Sequence, residues 1–158
     1  MKIKKKKFII VLVIAFLIYV IMQIPSYILA YKIHKAILDK ESCVVVPSEL
    51  EKYDFSVYEN SIVVIPEEFW RSNLEYYFNT FSIIVLKGED PDECTIKARV
   101  IPKFSCFGIN KGTAWIYYYY EILDKNNEVM HRYGNVTTEI SFERNGFDWK
   151  ITDILVRP

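Results

Sequence analysis

An apolar run near the N-terminus constrains this chain more than any other feature. Residues Phe8–Ile24 read FIIVLVIAFLIYVIMQI, with lysines at 2 and 4–7 before them and no charged residue after them until Lys32. As a helix, the 24 uncharged residues from Phe8 to Tyr31 are about 36 Å long, more than the roughly 30 Å hydrocarbon core of a bilayer. The sequence predicts a transmembrane helix that contacts the lipid bilayer through residues 8–31.

The lysine flank predicts the orientation of this helix. Basic residues next to a membrane span remain in the cytoplasm, so we expect a single-pass protein of the cell membrane with residues 41–158 outside. The alternative is a cleaved signal peptide with its cleavage site at Ile28-Leu29-Ala30. The apolar run is longer than the apolar core of ordinary signal peptides, which favours a retained signal anchor.

The charge balance divides the chain into two parts. Residues 1–40 hold the basic flank, the transmembrane helix and a juxtamembrane helix, in which Tyr27, Tyr31, His34 and Leu38 form a stripe at helical spacing. Residues 41–158 carry 12 basic and 19 acidic side chains, a net charge of −7. Their 118 residues suit one extracytoplasmic domain. Its acidity argues against nucleic acid or an anionic lipid surface as a partner, since either is repelled without a local basic patch, and the sequence shows none.

Periodicity predicts an α+β fold for this domain. A strand is expected at Ser61–Ile65, followed from Pro66 by a helix with one apolar face. That face holds Phe69, Trp70, Leu74, Tyr77 and Phe78. Further strands are expected at Phe81–Leu86, Cys94–Phe107, Thr113–Leu123, Glu128–Phe142 and Phe147–Val156. The predicted architecture is an N-terminal transmembrane helix followed by a curved antiparallel sheet, a four- to five-strand meander, packed by one amphipathic helix.

Strand register makes a sharper prediction. A two-residue turn at Asn145-Gly146 sets Phe142 opposite Trp149 and Ile140 opposite Ile151. The buried side then carries Val136, Ile140, Phe142, Trp149, Ile151 and Leu155. Pairing Phe107 with Thr113 buries a second set: Ile96, Ala98, Val100, Phe104, Cys106, Ala114, Ile116, Tyr118, Tyr120, Ile122, Val129, His131 and Tyr133. Within the strand Glu128–Phe142 the first set has even-numbered residues and the second odd-numbered ones, so a straight strand would turn them to opposite faces. An extra residue at a bulge at Gly134 would bring both sets to the same face.

Candidate functional residues lie on the predicted strands. Trp115, Tyr117 and Tyr119 alternate away from the second buried set and either cover Gly134 and Val136 or form an exposed aromatic interaction patch. His131 falls opposite Tyr120 and near Tyr118 and Tyr133, where it is either satisfied by a tyrosine hydroxyl or lines a small pocket.

The motifs of known catalytic and metal sites are missing from the sequence. It has two histidines, no catalytic or phosphate-binding motif, and an acidic turn over 87–93 without the order of a calcium loop. The three cysteines lack metal-ligand spacing; we expect Cys106 to be a small buried residue, and a bridge between Cys43 and Cys94 stays open. We therefore expect no enzyme, no cofactor and no metal.

The order of elements carries a resemblance. One helix, then long bent antiparallel strands that end in W-K-I-x-x-I (Trp149, Lys150, Ile151, Ile154), resembles the NTF2-like and cystatin-like domains that bacteria display behind single membrane anchors. The resemblance covers residues 66–158. It implies a scaffold or protein-interaction module, with a protein partner or self-association, or alternatively a small-ligand or enzymatic pocket around His131.

Overall fold

The computed structural model describes residues 2–42, 67–108, 110–145 and 148–157. In chain order, the helices are α1 (Lys2–Leu38), α2 (Glu67–Ser72), α3 (Leu74–Phe78) and α4 (Phe81–Leu86). The strands are β1 (Thr95–Phe107), β2 (Lys111–Leu123), β3 (Val129–Asn145) and β4 (Asp148–Arg157). This is an α+β fold with a long apolar N-terminal helix and a four-stranded antiparallel sheet in the order β1-β2-β3-β4.

Helix α1 has two halves with different surroundings. It continues through Pro25 without interruption, and over Phe8–Leu38 it is long and apolar enough to cross a membrane. The side chains of Phe8–Ile21 are exposed. The second half packs on the sheet, with Leu29, Ala30, Ile33, Ala36 and Ile37 in the same core as the strands. The anchor candidate and the domain therefore share one continuous helix.

The face of α1 that packs on the sheet is not the stripe that spacing singled out. Tyr27, Tyr31 and Leu38 are exposed, whereas Ile33 and Ile37 are fully buried. Alanines at 30 and 36 on the buried face let the helix approach the strands closely. Helical spacing alone identifies several stripes, and packing decided between them.

Strand β1 runs antiparallel to the second half of α1. Near one end the Ser105 backbone N–H donates to Gln23 Oε1 at 3.1 Å, and the Ser105 hydroxyl donates to the Met22 carbonyl. Near the other end Lys40 Nζ donates to the Cys94 carbonyl at 3.1 Å. The sheet therefore has one end beside residues 22–26 of α1, and the opposite end beside the C-terminus of α1. We call these the anchor-side end and the far end.

The inner face of the sheet, which faces α1, forms the core. Its fully buried members from β2 and β3 alternate along the strands as expected for a sheet covered on one side. They are Ala114, Ile116, Tyr118, Ile122, Thr138, Ile140 and Phe142. Phe78 of α3 covers the middle of this face, with its ring centroid 5.0 Å from that of Tyr118 in an edge-to-face contact.

A bulge in β1 overturns part of the predicted register. The pairing shifts between Pro102 and Phe104, so Lys103 is an extra residue and Phe104 lies opposite Trp115. One extra residue moves every later side chain to the other face. Phe104 and Cys106, predicted to be buried, are therefore exposed, and Ser105 is buried instead.

The predicted bulge at Gly134 is present in β3. Tyr118 pairs with Val136 and Tyr119 pairs with Gly134, so Asn135 is the extra residue. Gly134 and Asn135 have φ values of 99° and 64°, a backbone conformation that glycine and asparagine tolerate best. His131 and Tyr133 before the bulge, and Ile140 and Phe142 after it, consequently face the same inner side of the sheet.

Elsewhere in β3 two predicted placements are wrong. A shift between Ile122 and Leu123 pairs Leu123 with Val129, so Val129, predicted to be buried, is exposed. Asn145 pairs with Asp148 and lies in the strand, so Asn145-Gly146 does not supply the two residues between the strands.

The pairing of β3 with β4 also differs. Phe142 lies opposite Ile151, and a shift between Ser141 and Phe142 then places Ile140 opposite Ile154. This shift between β3 and β4 leaves Leu155 opposite Glu139. Leu155 therefore lies on the outer face of the sheet rather than on the predicted inner face. The side chain of Trp149 lies outside the described part of the chain.

The segment Phe81–Leu86, predicted to be a strand, is helix α4. A short apolar run does not separate a strand from a buried helix by periodicity. Contacts with the rest of the protein decide between strand and helix. Thr80 Oγ1 donates to the Ile37 carbonyl at 3.1 Å, which holds the start of α4 against the end of α1. Ile84 of α4 is buried. The sheet therefore has four strands in the described residues, and the predicted strand Ser61–Ile65 lies outside them.

The predicted amphipathic helix after Pro66 is divided in two. Asn73 Oδ1 accepts the Tyr76 N–H at 3.0 Å and caps α3, because asparagine competes with the backbone for helical hydrogen bonds. The predicted apolar face is preserved across the break, since Phe69, Leu74 and Phe78 are buried. The side chain of Trp70 is not described.

Replacing Gly134 by valine should destabilise the protein. A Cβ built on Gly134 would lie 2.6 Å from the Tyr118 carbonyl oxygen and 2.9 Å from Tyr119 Cα, and the positive φ adds backbone strain. We expect Gly134→Val to lower the free energy of unfolding by about 2 to 3 kcal/mol. Gly88→Val is the matched control, because Gly88 also has a positive φ but no atom within 4 Å. Equal melting temperatures for the two full-length variants in detergent would contradict the steric part of the argument.

Candidate interaction face

The outer face of β2 carries the predicted aromatic patch. Trp115, Tyr117 and Tyr119 are half-buried on the face opposite α1, while their chain neighbours Ile116 and Tyr118 are fully buried on the inner face. The structure thus brings the three predicted residues together in one row. Alternation along a strand was sufficient to find them.

Strand β1 extends this row with residues that the sequence did not single out. The Phe104 ring stacks on Trp115, with centroids 5.8 Å apart and an interplanar angle of 27°. Lys103 Nζ lies 5.4 Å from the centroid of the Tyr117 ring, a cation–π contact. Both contacts depend on the bulge at Lys103, which a straight register does not reveal.

The bulge in β3 anchors the middle of the row. The Tyr117 hydroxyl donates to Asn135 Oδ1 at 2.8 Å, and Asn135 is the extra residue of that bulge. We define the outer aromatic face as Phe104, Trp115, Tyr117 and Tyr119. Two bulges in neighbouring strands therefore position one aromatic surface.

A charged group fixes the far end of this face. The Tyr119 hydroxyl donates to Glu121 Oε1, and Arg132 Nε donates to the same oxygen at 2.7 Å. The hydrogen bond from Tyr119, and then Arg132, lowers the pKa of the Glu121 carboxyl, while the same hydrogen bond raises the pKa of Tyr119. Glu121 is thus held ionised, with Tyr119 and Arg132 both donating to its Oε1.

His131 lies on the other face of the sheet. It is opposite Ile122 rather than Tyr120, and its ring centroid is 6.2 Å from those of Tyr120 and Tyr133. His131 therefore lies beside two tyrosine rings on the inner face. The structure therefore does not bring His131 together with Trp115, Tyr117 and Tyr119.

A separate depression of about 820 Å³ surrounds the bulge in β3. It lies where β4 has ended, since Arg157 at the end of β4 pairs with Thr137. It is lined by Tyr119, Arg132, Tyr133, Gly134, Asn135, Val136 and Val156. Its polar side chains Arg132 and Asn135 already bind Glu121 and Tyr117, so they are engaged within the protein.

An unexpected polar group lies at the centre of the core. Tyr118 is fully buried; its hydroxyl meets the geometry of a hydrogen bond with no described residue, and the Tyr133 side chain is close enough to act on it only as a weak hydrogen-bonding group. Burial raises the pKa of Tyr118 well above its usual range and raises that of Tyr120 to about 12, and the neighbouring Tyr133 adds to both shifts. Both hydroxyls stay protonated at physiological pH. The alternation pattern placed Tyr118 inside but gave no sign of its missing partner.

The thiols and acidic groups show no metal centre in the described ranges. Over 2–42, 67–108, 110–145 and 148–157, no three His, Cys, Asp or Glu side chains are close enough to hold a metal ion. Cys94 and Cys106 carry free thiols, and burial raises the pKa of Cys94. The bridge between Cys43 and Cys94 stays open, because Cys43 lies outside the described residues.

Comparisons with protein-family models, with curated proteins and with solved structures found no match to this chain.

Removing the Tyr118 hydroxyl should stabilise the protein. Among the described residues the Tyr118 hydroxyl has only the Tyr133 side chain beside it, without hydrogen-bond geometry. Most of its desolvation cost is therefore not offset, and we expect Tyr118→Phe to raise the free energy of unfolding by about 1 kcal/mol. Tyr117→Phe is the control: it removes a hydroxyl that donates to Asn135, and should leave stability unchanged or lower it slightly. Thermal melts of the full-length variants in detergent measure both. A lower melting temperature for Tyr118→Phe would contradict the proposed absence of a partner.

Proposed function

We propose that this protein is a membrane-anchored interaction module, in which α1 is the anchor and the outer aromatic face binds a protein partner or a second copy of the chain. The observation that carries the proposal is the outer aromatic face itself. Its rings are partly exposed and its hydroxyls are held by Asn135 and Glu121. Rigid aromatic side chains of this kind supply much of the contact energy in protein interfaces.

The exposed half of α1 supports membrane anchoring. A surface of fourteen consecutive exposed residues, Phe8–Ile21, nearly all of them apolar, would aggregate in water and is suited to lipid. The lysines before it place the N-terminus in the cytoplasm and the domain outside, as a single-pass protein of the cell membrane. This orientation is part of the proposal.

Retention of α1 is supported by its packing. Cleavage after Ala30 would remove Leu29 and Ala30 from the core. It would also remove the hydrogen bonds of Ser105 to Gln23 and Met22. Because a signal peptide leaves a folded domain intact when it is removed, the contacts favour a retained signal anchor over a cleaved one.

The shared helix also fixes how the interaction face is presented. Because β1 lies along α1 from Gln23 to Lys40, the strands follow the direction of the anchor helix. A sheet that stands along the membrane normal has its two faces perpendicular to the membrane plane, so that they point sideways. The outer aromatic face would therefore meet a partner that lies beside it in the same membrane.

The alternative function is a small-ligand or enzymatic pocket of the NTF2-like kind. The depression beside Gly134 has a volume, about 820 Å³, within the range of ligand sites, roughly 300 to 1,000 Å³. It is lined by engaged polar groups rather than by His131. A long helix lying along a four-stranded meander also suits a cystatin-like domain, a fold assignment that we propose together with the interaction role.

The orientation is testable with single cysteines. In a variant whose native cysteines are replaced, Lys125→Cys places a thiol in the exposed turn at the far end, and Lys5→Cys places one before the anchor. A membrane-impermeant maleimide added to intact cells should label position 125 and label position 5 only after permeabilisation, because the basic flank stays inside. The reverse pattern would show that the orientation is wrong.

The interaction face is testable by site-specific crosslinking. A photoreactive benzoyl-phenylalanine at position 117 should give a discrete adduct in native membranes, because this position lies in the middle of the outer aromatic face. The matched control is position 31, since Tyr31 is an exposed tyrosine on α1. The adduct should disappear when Trp115→Ala removes the neighbouring ring.

Adducts of equal yield at positions 117 and 31, or none at position 117, would contradict the proposal. A second copy of the chain appears as an adduct of twice the mass, which separates self-association from a different partner.

A further inference from the structure

The length of the exposed half of α1 sets the depth of the domain. The sheet first contacts α1 at Met22 and Gln23, so the free part is Phe8–Ile21. Its fourteen residues are about 21 Å long, roughly 9 Å shorter than a hydrocarbon core of about 30 Å. Spanning the full core takes about 20 residues, from Phe8 to Tyr27.

The anchor-side end of the sheet therefore lies at the membrane surface, where the charged side chains that share this end, Lys111, Glu143 and Lys150, stay among headgroups and water. Residues 22–27 of α1 are needed to complete the span, and Ser105 of β1 is bound to the first two of them. Tilting the helix shortens its projection along the membrane normal and draws the sheet deeper. The sides of α1 that face away from the sheet remain apolar here, with Ile24 and Ile28 exposed.

The residues at this end suit such a position. Phe104 is 40% exposed and stacks on Trp115, and aromatic rings concentrate where hydrocarbon meets headgroups. Strand β1 contributes Lys103 to this end and contains no Asp or Glu, whereas Lys97 and Arg99 pair with Glu121 and Tyr119 toward the far end. One exposed cation of β1 therefore lies beside the anchor, a position suited to contact with a lipid phosphate.

A groove between α1 and β1 opens at the same level. Its volume is about 520 Å³. Pro102 and Lys103 line it from the strand. From the helix it is lined by the apolar side chains of Phe16, Val20, Ile24 and Ile28 and by the polar side chains of Tyr19, Gln23, Ser26 and Tyr27. The groove therefore begins among residues that belong to the hydrocarbon span and ends at a cationic side chain.

We propose that this groove binds an anionic phospholipid of the leaflet beside the domain, with an acyl chain along Phe16, Val20 and Ile24 and its phosphate at Lys103 Nζ. A groove at this depth is surrounded by lipid, so its occupant enters from the bilayer. Lys103 also contacts the Tyr117 ring, which places the lipid phosphate next to the outer aromatic face. The inference rests on the proposed anchoring by α1.

The first test measures how deep the anchor-side end of the sheet lies in the membrane, with the full chain in nanodiscs. With the other cysteines replaced, a fluorescent label on Cys106 reports on the anchor-side end, and a label on Lys125→Cys reports on the far end. Doxyl-labelled lipids should quench the first label strongly and leave the second unchanged. An unquenched Cys106 label on a protein recovered in nanodiscs would overturn the inference while leaving the anchor intact, whereas failure to enter nanodiscs would overturn both.

Lipid binding is tested next, by the phosphatidylglycerol retained per chain in native mass spectrometry from mixed phosphatidylcholine and phosphatidylglycerol nanodiscs. Lys103→Glu should lower retention about tenfold, because a charge-assisted contact becomes repulsive. Lys97→Glu, an exposed lysine of the same strand away from the groove, should not. Val20→Trp fills the groove and should also lower retention, while Val13→Trp, on the free part of α1, should not.

Equal effects within either pair of variants, or equal retention of the two lipids, would mean that only annular lipid is bound and would overturn the proposal.

Discussion

The packing of the second half of α1 on the inner face of the sheet is the interaction on which the rest of the structure depends. Ile33 and Ile37 are completely buried there, and burying side chains of this size contributes about 1.5 to 3 kcal/mol each. The same helix continues without a break into its exposed apolar half. The core of the domain and the candidate membrane span are therefore mechanically one element.

This arrangement limits how the domain can move. The sheet is joined to α1 near Gln23 by hydrogen bonds to Ser105, and near its C-terminus by Lys40 and Thr80. Two attachment points, one toward each end of the sheet, prevent it from swinging about a single hinge. A surface built on such a sheet keeps its orientation relative to the anchor helix, which suits recognition that depends on direction.

Two bulges turn one face of a regular meander into a continuous aromatic surface. The extra residue Lys103 turns Phe104 onto Trp115, and the extra residue Asn135 supplies the acceptor for Tyr117. Neither contact is possible in an uninterrupted register, because the side chains would face the core. Bulges are accordingly part of the site and not defects of the sheet.

The sequence by itself determined the elements whose signals are local and repeated. The apolar run, the four long strands, and the row of Trp115, Tyr117 and Tyr119 all follow from composition and alternation. The bulge at Gly134 was also predictable, because two hairpin registers of opposite parity met in one strand and glycine tolerates the backbone conformation required there.

Tertiary structure decided what local signals leave ambiguous. Phe81–Leu86 became a helix because Thr80 docks on the end of α1, and the apolar run alone fits a strand equally well. Phe104 moved outward because β1 bulges at Lys103, a position without glycine or any other sequence mark. The stripe of α1 that packs was chosen by Ala30 and Ala36, whose small side chains matter only once a sheet lies against them. Contacts between distant segments settle such choices, since their energies exceed the preferences of any single segment.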